Sequence, residues 1–380
     1  MRKVKILYVT HEADMNGASF SLVDQIKALK KLNYEIYVII PRNGDLGKAL
    51  AKEDVEFKSV CYFFDYRIVG KKHLIRESIK KVVNFIAVHR IAKIINKKSI
   101  DIVHSNSTAT DVGARAANLT DTKHIWHLRE FMELDFGFEY MNKRQMKELF
   151  VKSVYNISIS DVICKYYLKK YHVKSTRIYN GLDIGKYYIP YNDEKFKKSR
   201  ISVLFCGTLS DGKGVFDIIR AVNILHSKGE DISLQIVGKG SKDYINSIAK
   251  YSFDNELTDI IEVLPHSSDL SSYRKNNDVA VVCSKMEGLG RVTLESMLSG
   301  MCVIGADTGA TIEIIGKNED RGYIYKQGNS KSLADKILEA YNNKKETLEK
   351  IVKGQEYVIE NFDNTKYIKH IDEIYSKILK

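Results

Sequence analysis

Short apolar runs alternate along the chain with longer stretches whose apolar positions recur at three- and four-residue spacing. Val4–Val9 reads as a strand, Ser19–Leu32 as a helix, and Tyr34–Ile40 as the next strand, closed by the turn-forming Pro41-Arg42-Asn43-Gly44. Ile100–His104, His124–His127 and Ile157–Ser160 continue the series. The second half repeats it: strand Ser202–Cys206, helix Val215–Lys228, then strands Ser233–Val237, Ile261–Leu264, Val279–Cys283 and Met301–Ile304 with helices between. This is the rhythm of parallel sheets covered on both faces. Between the halves, the polar Tyr187–Arg200 with its Pro190 reads as a linker. The pattern predicts an α/β protein of two doubly wound domains in tandem. Ligands of such sheets sit beyond the carboxyl ends of the strands, and two such domains facing each other would frame a cleft suited to a small molecule.

Length supports two domains, since 380 residues exceed one typical core. With 44% hydrophobic and 28% charged residues, the composition is that of an ordinary globular protein. Three prolines and 23 glycines exclude collagen-like or proline-rich character. No apolar run approaches the ~18 residues of a helical membrane span. The N-terminal Met1-Arg2-Lys3-Val4 enters a strand directly, without a cleavage region, so the expected location is cytoplasmic. The five cysteines (Cys61, Cys164, Cys206, Cys283, Cys302) form no C-x-x-C pair and read as reduced thiols.

Charge divides the chain. The formal net charge is +12. Residues 1–190 hold 33 Lys+Arg and 20 Asp+Glu, a net of +13, and residues 191–380 hold 27 and 28, a net of −1. An excess confined to one half points to an anionic partner for that half. Its focus lies between Tyr66 and Lys98, with ten Lys/Arg and the single acid Glu77. Lys72, Arg76 and Lys80 share one helical stripe; Ile75, Ile79, Val82, Val83 and Ile86 form another. Two readings stand: a basic amphipathic helix lying on an anionic membrane through residues 67–98, or a domain helix whose apolar side packs the sheet.

The most informative residues for chemistry are Glu287-Gly288-Leu289-Gly290-Arg291-Val292-Thr293-Leu294-Glu295, which follow a strand and run into a helix. Glycines at a helix start expose N–H groups suited to a phosphate, and ionised carboxylates accept from sugar hydroxyls. By spacing alone, two glutamates flanking a helix start can equally be a solvated pair that favours the helix dipole. Lys213, just before a helix, could neutralise a departing diphosphate or be an exposed turn lysine.

The segment Ser284–Ile315, with this stretch and Val303-Ile304-Gly305-Ala306-Asp307-Thr308-Gly309, resembles the donor-binding signature of retaining glycosyltransferases of family 4, which have the GT-B fold. The likeness extends to Tyr179-Asn180-Gly181-Leu182-Asp183, to Cys206-Gly207-Thr208-Leu209-Ser210-Asp211-Gly212-Lys213-Gly214 and to Val237-Gly238-Lys239-Gly240. It implies a GT-B protein of two Rossmann-like domains facing a cleft. Residues 1–184 would form the acceptor side and 185–362 the nucleotide-sugar donor domain, with a helix over 363–380 returning to the first. By resemblance Glu295 would hold the nucleotide ribose, Glu287 the donor sugar, and Lys213 the pyrophosphate. Gly207, Gly238, Gly240 and His266 would lie about the nucleotide, with Gly288, Leu289 and Gly290 beside the sugar. The family usually has arginine where this chain has Thr208, and Arg291 would compensate. In the first half, Gly17 beside Asn16 resembles the family's glycine-rich first loop, and His127 its histidine near the donor sugar. Arg129 and Glu130 would line the acceptor side, and His104 is a weaker candidate.

The implied activity is a metal-independent transfer of a hexosyl or related sugar, with retention, from a nucleotide-sugar to a saccharide or lipid-linked acceptor. The expected setting is bacterial cell-surface polysaccharide or glycoconjugate synthesis. His127, Lys213, Arg291 and Glu287 would be the catalytic groups. No Asp-x-Asp and no His/Cys cluster with ligand spacing occurs, so no metal or other cofactor is expected. Two alternatives remain. One is a sugar-nucleotide epimerase of the same fold; the other is a basic nucleic-acid-binding protein, which lacks a recognisable binding module. A nicotinamide dehydrogenase is disfavoured because no Gly-x-Gly-x-x-Gly follows the first strand.

Overall fold

A computed structural model describes residues 2–380 apart from 33, 193, 197 and 198. The chain divides into two compact units, one running to Asp183 and resuming over Phe362–Lys380, the other Ile184–Asn361.

In the first unit, β1 (Val4–Val9), β2 (Tyr34–Ile40), β3 (Glu56–Ser59), β5 (Ile102–Ser105), β6 (Lys123–Leu128), β8 (Tyr155–Ser158) and β9 (Thr176–Arg177) form one parallel sheet. Its order is β3-β2-β1-β5-β6-β8-β9. The short β4 (Tyr66–Ile68) and β7 (Phe138–Tyr140) pair antiparallel beside it. Alternate residues of β1 serve opposite faces. Ile6 and Tyr8 join a core with the Gly17–Leu29 and Asn364–Leu379 helices, while Leu7 and Val9 pack with Val88, Ile91 and Ile95 of the Leu74–Lys98 helix. The final helix is pinned by polar contacts as well: Tyr8 and Tyr375 hydroxyls lie 2.6 Å apart, and Gln25 Nε2 donates to Tyr8 at 2.7 Å.

The 25-residue Leu74–Lys98 helix does not pack the apolar stripe of its first half on the sheet. Its C-terminal half packs on the sheet, but its N-terminal half does not bury Ile75, Ile79, Val82 or Ile86, which are 81%, 56%, 60% and 46% exposed. The inward positions there are Glu77 and Asn84. Asn84 pays for its burial by pairing with both backbone groups of Phe63, at 2.8 and 3.0 Å, and Glu77 pairs with Arg67 at 3.3 Å. The expected cationic stripe is corrected too. Lys72 precedes the helix, and Lys80 Nζ turns inward to the carbonyls of Phe64 and Tyr66, at 3.4 and 3.2 Å.

The second unit holds one parallel sheet of β10 (Ile201–Cys206), β11 (Ile232–Val237), β12 (Ile261–Leu264), β13 (Val279–Val282), β14 (Cys302–Ala306) and β15 (Tyr323–Tyr325). Their order is β12-β11-β10-β13-β14-β15. All four residues of β13 are buried, as a strand covered on both faces requires. The stretch expected as a linker instead packs on this unit. Phe196 is fully buried in its core, and Lys195 Nζ reaches the carbonyls of Arg274 and Asn277, at 3.3 and 3.1 Å. Polar density marked this stretch as a linker, but the buried Phe196 and hydrogen bonds to the carbonyls of Tyr187 and Ile189 anchor it.

Candidate active site

In the second sheet the strand order reverses between β10 and β13, so the loops leaving their carboxyl ends diverge to opposite faces and leave a crevice between them. After β10, Gly207 N donates to Val237 O (3.1 Å), and Leu209 N donates to Lys239 O (2.8 Å) beside its bridge to Gly240. Gly238 N donates in turn to Leu264 O (3.2 Å) at the end of β12. Gly207, Thr208, Gly238 and Gly240 are thereby gathered along one rim, while His266, two residues past β12, is exposed. The loop then makes a short turn over Asp211–Lys213 and enters the Val215–Ser227 helix through Gly214. Gly214 has φ +64, and a Cβ there would stand 2.2 Å from Cys283 O, so only glycine lets this loop lie against the end of β13. Lys285 N donating to Gly212 O (2.9 Å) completes the contact.

These loops bring two sequence-distant charges together. Lys213 Nζ lies 2.5 Å from Glu287 Oε1, which also accepts from Ser284 Oγ at 2.6 Å. The backbone of Glu287 is fixed from behind, its carbonyl accepting from Ala310 N at 2.9 Å. Gly309 (φ +53) permits this approach, because a Cβ there would lie 2.3 Å from Glu287 O. The Arg291–Leu298 helix starts after Gly290 and carries Glu295 inward. Arg274 Nη2 meets Glu295 Oε2 at 2.5 Å, and Arg291 Nε meets Oε1 at 3.3 Å. Arg291 Nη2 also donates to the Tyr187 hydroxyl at 3.4 Å. The site therefore presents one ion pair whose cation, Lys213, is open to solvent, and one carboxylate, Glu295, 12% exposed and held between two guanidiniums. Each carboxylate keeps lone pairs for hydroxyl groups, and Lys213 with the N–H groups at the start of the Arg291–Leu298 helix favours a phosphate.

Two expectations change here, and one residue is new to the site. Arg291, expected as a phosphate cation in place of the residue missing at Thr208, is engaged by Glu295 and Tyr187, and Thr208 itself is exposed. Leu289 is buried at 4% exposure, so its side chain packs rather than lines a sugar. Arg274 was not anticipated. It sits on the Ser271–Asn276 helix, 21 residues from its partner, and no local pattern marks it. Among the described residues, no cluster of His, Cys, Asp or Glu could hold a metal ion.

In the first unit, Asn16 caps the Gly17–Leu29 helix by accepting from Ser19 N at 3.1 Å, which leaves Gly17 exposed at the first helical position. His127, at the end of β6, is fully enclosed. Burial, followed by the Arg129 cation and His104, pushes its pKa well below the ordinary imidazole value. Arg129 Nη2, which can only donate, lies 3.2 Å from His127 Nδ1, so the neutral ring carries its proton on Nε2, where no described residue accepts it. His127 is thus held as a neutral imidazole with its proton on Nε2. His104 is likewise neutral through burial, its Nδ1 2.7 Å from the Tyr375 hydroxyl. The expectation that Arg129 and Glu130 line the acceptor side is corrected. Arg129 ties Asn106 to Asn180, and Glu130 accepts from Ser107 Oγ and Thr108 N, at 2.5 and 2.8 Å. Both are buried framework.

Two Rossmann-like parallel sheets, with a polar site beyond the switch point of the second, define a glycosyltransferase of the GT-B fold. Two family models match: Glycosyltransferase Family 4 over residues 15–186, and Glycosyl transferases group 1 over residues 191–361. Between them they span nearly the whole chain, which belongs to this family. The chain is 24% identical over 376 residues to the capsular polysaccharide biosynthesis glycosyltransferase CapM of Staphylococcus aureus, covering 94% of this chain and 93% of that one. It is 24% identical over 404 residues to the UDP-Gal:alpha-D-GlcNAc-diphosphoundecaprenol alpha-1,3-galactosyltransferase of Escherichia coli, covering 99% and 98%. Among solved structures, Anabaena HepE in complex with UDP superposes with a TM-score of 0.83 at 20% identity, over 98% of this chain and 100% of that one. HepE has also been solved with UDP-glucose, at a TM-score of 0.80 and 20% identity, over 98% and 99%.

Proposed function

We propose that this protein transfers a hexosyl or related sugar, with retention of anomeric configuration, from a nucleoside-diphosphate sugar to a saccharide or lipid-linked acceptor in cell-surface polysaccharide synthesis. The observation that carries the reading is the constellation at the second unit's switch point: Lys213 paired with Glu287, and Glu295 held by Arg274 and Arg291. The relatives support a uridine nucleotide and a polysaccharide product, since the Escherichia coli protein is named for UDP-Gal and a diphosphoundecaprenol acceptor and CapM for capsule synthesis.

Lys213 meets the pyrophosphate and stabilises the charge that grows on it as the glycosidic bond breaks, assisted by backbone N–H groups of the 288–291 turn. Drawing Lys213 to phosphate frees Glu287 Oε1 to accept from hydroxyls of the donor sugar. Glu295, oriented by its arginines, accepts from the ribose hydroxyls. In this reading Lys213 is the cation at the leaving group, and no step is routed through a metal. No side chain is assigned as a covalent nucleophile. The acceptor attacks from the face the diphosphate leaves, and the departing phosphate oxygen takes its proton.

The test is incubation with a panel of UDP-, GDP- and TDP-sugars and polyprenyl-diphosphate-linked acceptors, followed by NMR of the product's anomeric proton. Transfer with the donor's own configuration is expected. An inverted product refutes retention, and interconversion of the free donor without transfer would establish the epimerase instead.

A further inference from the structure

Large exposed apolar side chains concentrate on one part of the first unit. Leu74, Ile75, Ile79, Val82, Phe85 and Ile86 are each between 46% and 81% exposed, all in the first half of one helix. At about 100° per residue, Ile75, Ile79, Val82 and Ile86 fall within roughly 60° of one another, on the side opposite Glu77, Asn84, Val88 and Ile91. The helix is therefore amphipathic inside out over this half. The patch continues past the helix. Val69 is 44% exposed and its N–H is bonded to Gly137 O at 3.0 Å, beside Phe136, which is 61% exposed. At the foot of the helix a concavity of about 730 Å³ combines apolar walls from Phe63, Leu74 and Ile79 with Lys72, Arg76 and Lys80.

The charges around this face identify what covers it. Lys71, Lys72, Arg76 and Lys81 are exposed, and none forms a salt bridge among the described residues. On the helix, Arg76 and Lys81 fall on opposite flanks of the apolar stripe. The acids nearby are buried or already committed: Asp65, whose charge faces Lys80 and Lys81, is 7% exposed. Glu77 is buried against Arg67, Glu139 is shared by Arg67 and Lys143, and Glu133 pairs with Lys170. An apolar stripe flanked on both sides by unpaired cations matches a lipid surface whose anionic headgroups lie at the level where its acyl chains begin. A partner protein would have to bring both a large apolar face and a surrounding ring of carboxylates.

We propose that the first half of the Leu74–Lys98 helix, with the adjoining Val69 and Phe136, docks the first unit on an anionic membrane surface, apolar stripe in the interface and Lys71, Lys72, Arg76 and Lys81 on the headgroups. The argument uses nothing from the donor site and stands whatever sugar is transferred.

The test is co-sedimentation of the full chain with vesicles of phosphatidylcholine alone, or of phosphatidylcholine and phosphatidylglycerol in equal parts. The wild type is expected to bind the second and not the first. One cation near such a surface is worth about fivefold in partitioning, so Lys71→Gln, Lys72→Gln, Arg76→Gln and Lys81→Gln together should weaken binding more than tenfold. Ile75→Gln, Ile79→Gln and Val82→Gln together should do the same, and glutamine preserves helix propensity. Unchanged circular dichroism and nucleotide-sugar binding certify both variants as folded. The proposal is overturned if the wild type ignores anionic vesicles, or if the apolar set leaves binding intact. It is equally overturned if light scattering shows a dimer that the apolar set dissociates, which would make the face a contact between two copies.

Discussion

Replacing Glu295 by alanine isolates the central electrostatic feature of the second unit. The Arg274 side chain is 3% exposed and that of Glu295 12%, with Nη2 and Oε2 2.5 Å apart. Arg274 Nε is buried without a hydrogen-bond partner among the described residues, and the further support for this cation is the Tyr187 ring, 5.6 Å away, and the charge of the exposed Asp269. Removing the carboxylate therefore leaves a buried guanidinium with little compensation, a change that costs on the order of 3–5 kcal/mol. The Arg291 pair adds little, being an i,i+4 contact worth about 0.5 kcal/mol. At about 2–4 °C per kcal/mol for a unit of this size, the second unit's transition should fall by roughly 6–20 °C. Urea unfolding followed by circular dichroism measures the loss. A double-mutant cycle with Arg274→Met supplies the control, because removing both charges abolishes the unpaired cation, and the double variant should recover about 2 kcal/mol or more relative to Glu295→Ala. A Glu295→Ala cost below about 1 kcal/mol, or a double variant no more stable than the single, would refute the reasoning.

Three other substitutions probe separate parts of the account. Lys213→Ala removes the solvent-open partner of an ion pair, so stability should move by less than about 1 kcal/mol while kcat/KM for sugar transfer falls roughly 10²–10³-fold; wild-type transfer rates would show that another cation serves the diphosphate. Gly309→Ala forces a Cβ to within 2.3 Å of Glu287 O at φ +53, and should cost about 2 kcal/mol or more while weakening nucleotide-sugar binding; an unaltered melting curve would show that the loop yields freely. Asp65→Asn addresses pH. Burial, with Asp111 beside it, lifts the Asp65 carboxyl from 3.8 to about 8. Across that window the native state binds a proton that the unfolded chain has released, so stability falls as pH rises through it. The variant should therefore lose less melting temperature than the wild type between about pH 5 and pH 9, and parallel losses would place the proton elsewhere.

The apolar runs disclosed most of the fold, because a strand buried on both faces must be apolar throughout. Val279–Val282 is the full case and Val4–Val9, apolar but for Lys5 and buried from Ile6 on, comes near it; both stand where the periodicity puts them. The strands that escaped notice are short or exposed and bury too little to leave a pattern, as with the two-residue Thr176–Arg177 and the partly exposed Glu56–Ser59. The Leu74–Lys98 helix was legible as a helix, but not its orientation. Hydrophobicity favours burying Ile75 and Ile79, whereas the Phe63 backbone and Arg67 give Asn84 and Glu77 partners that only the folded chain supplies. The candidate site divides in the same way. Lys213, Glu287 and Glu295 were visible through motif and position, and Gly214 and Gly309 become intelligible only once the atoms they would strike are known. Arg274 lies outside any motif, and its role follows entirely from a contact made across the fold.

The claim that the loops after β10 and β13 hold a nucleotide-sugar is tested most directly by calorimetric titration with UDP-glucose and UDP-galactose, alongside GDP- and TDP-sugars. The account predicts saturable binding of one nucleotide-sugar by the wild type. It also predicts at least tenfold weaker binding by Lys213→Ala and by Glu287→Ala, with both variants folded. Binding of no member of the panel, or equal affinity in all three proteins, would contradict it.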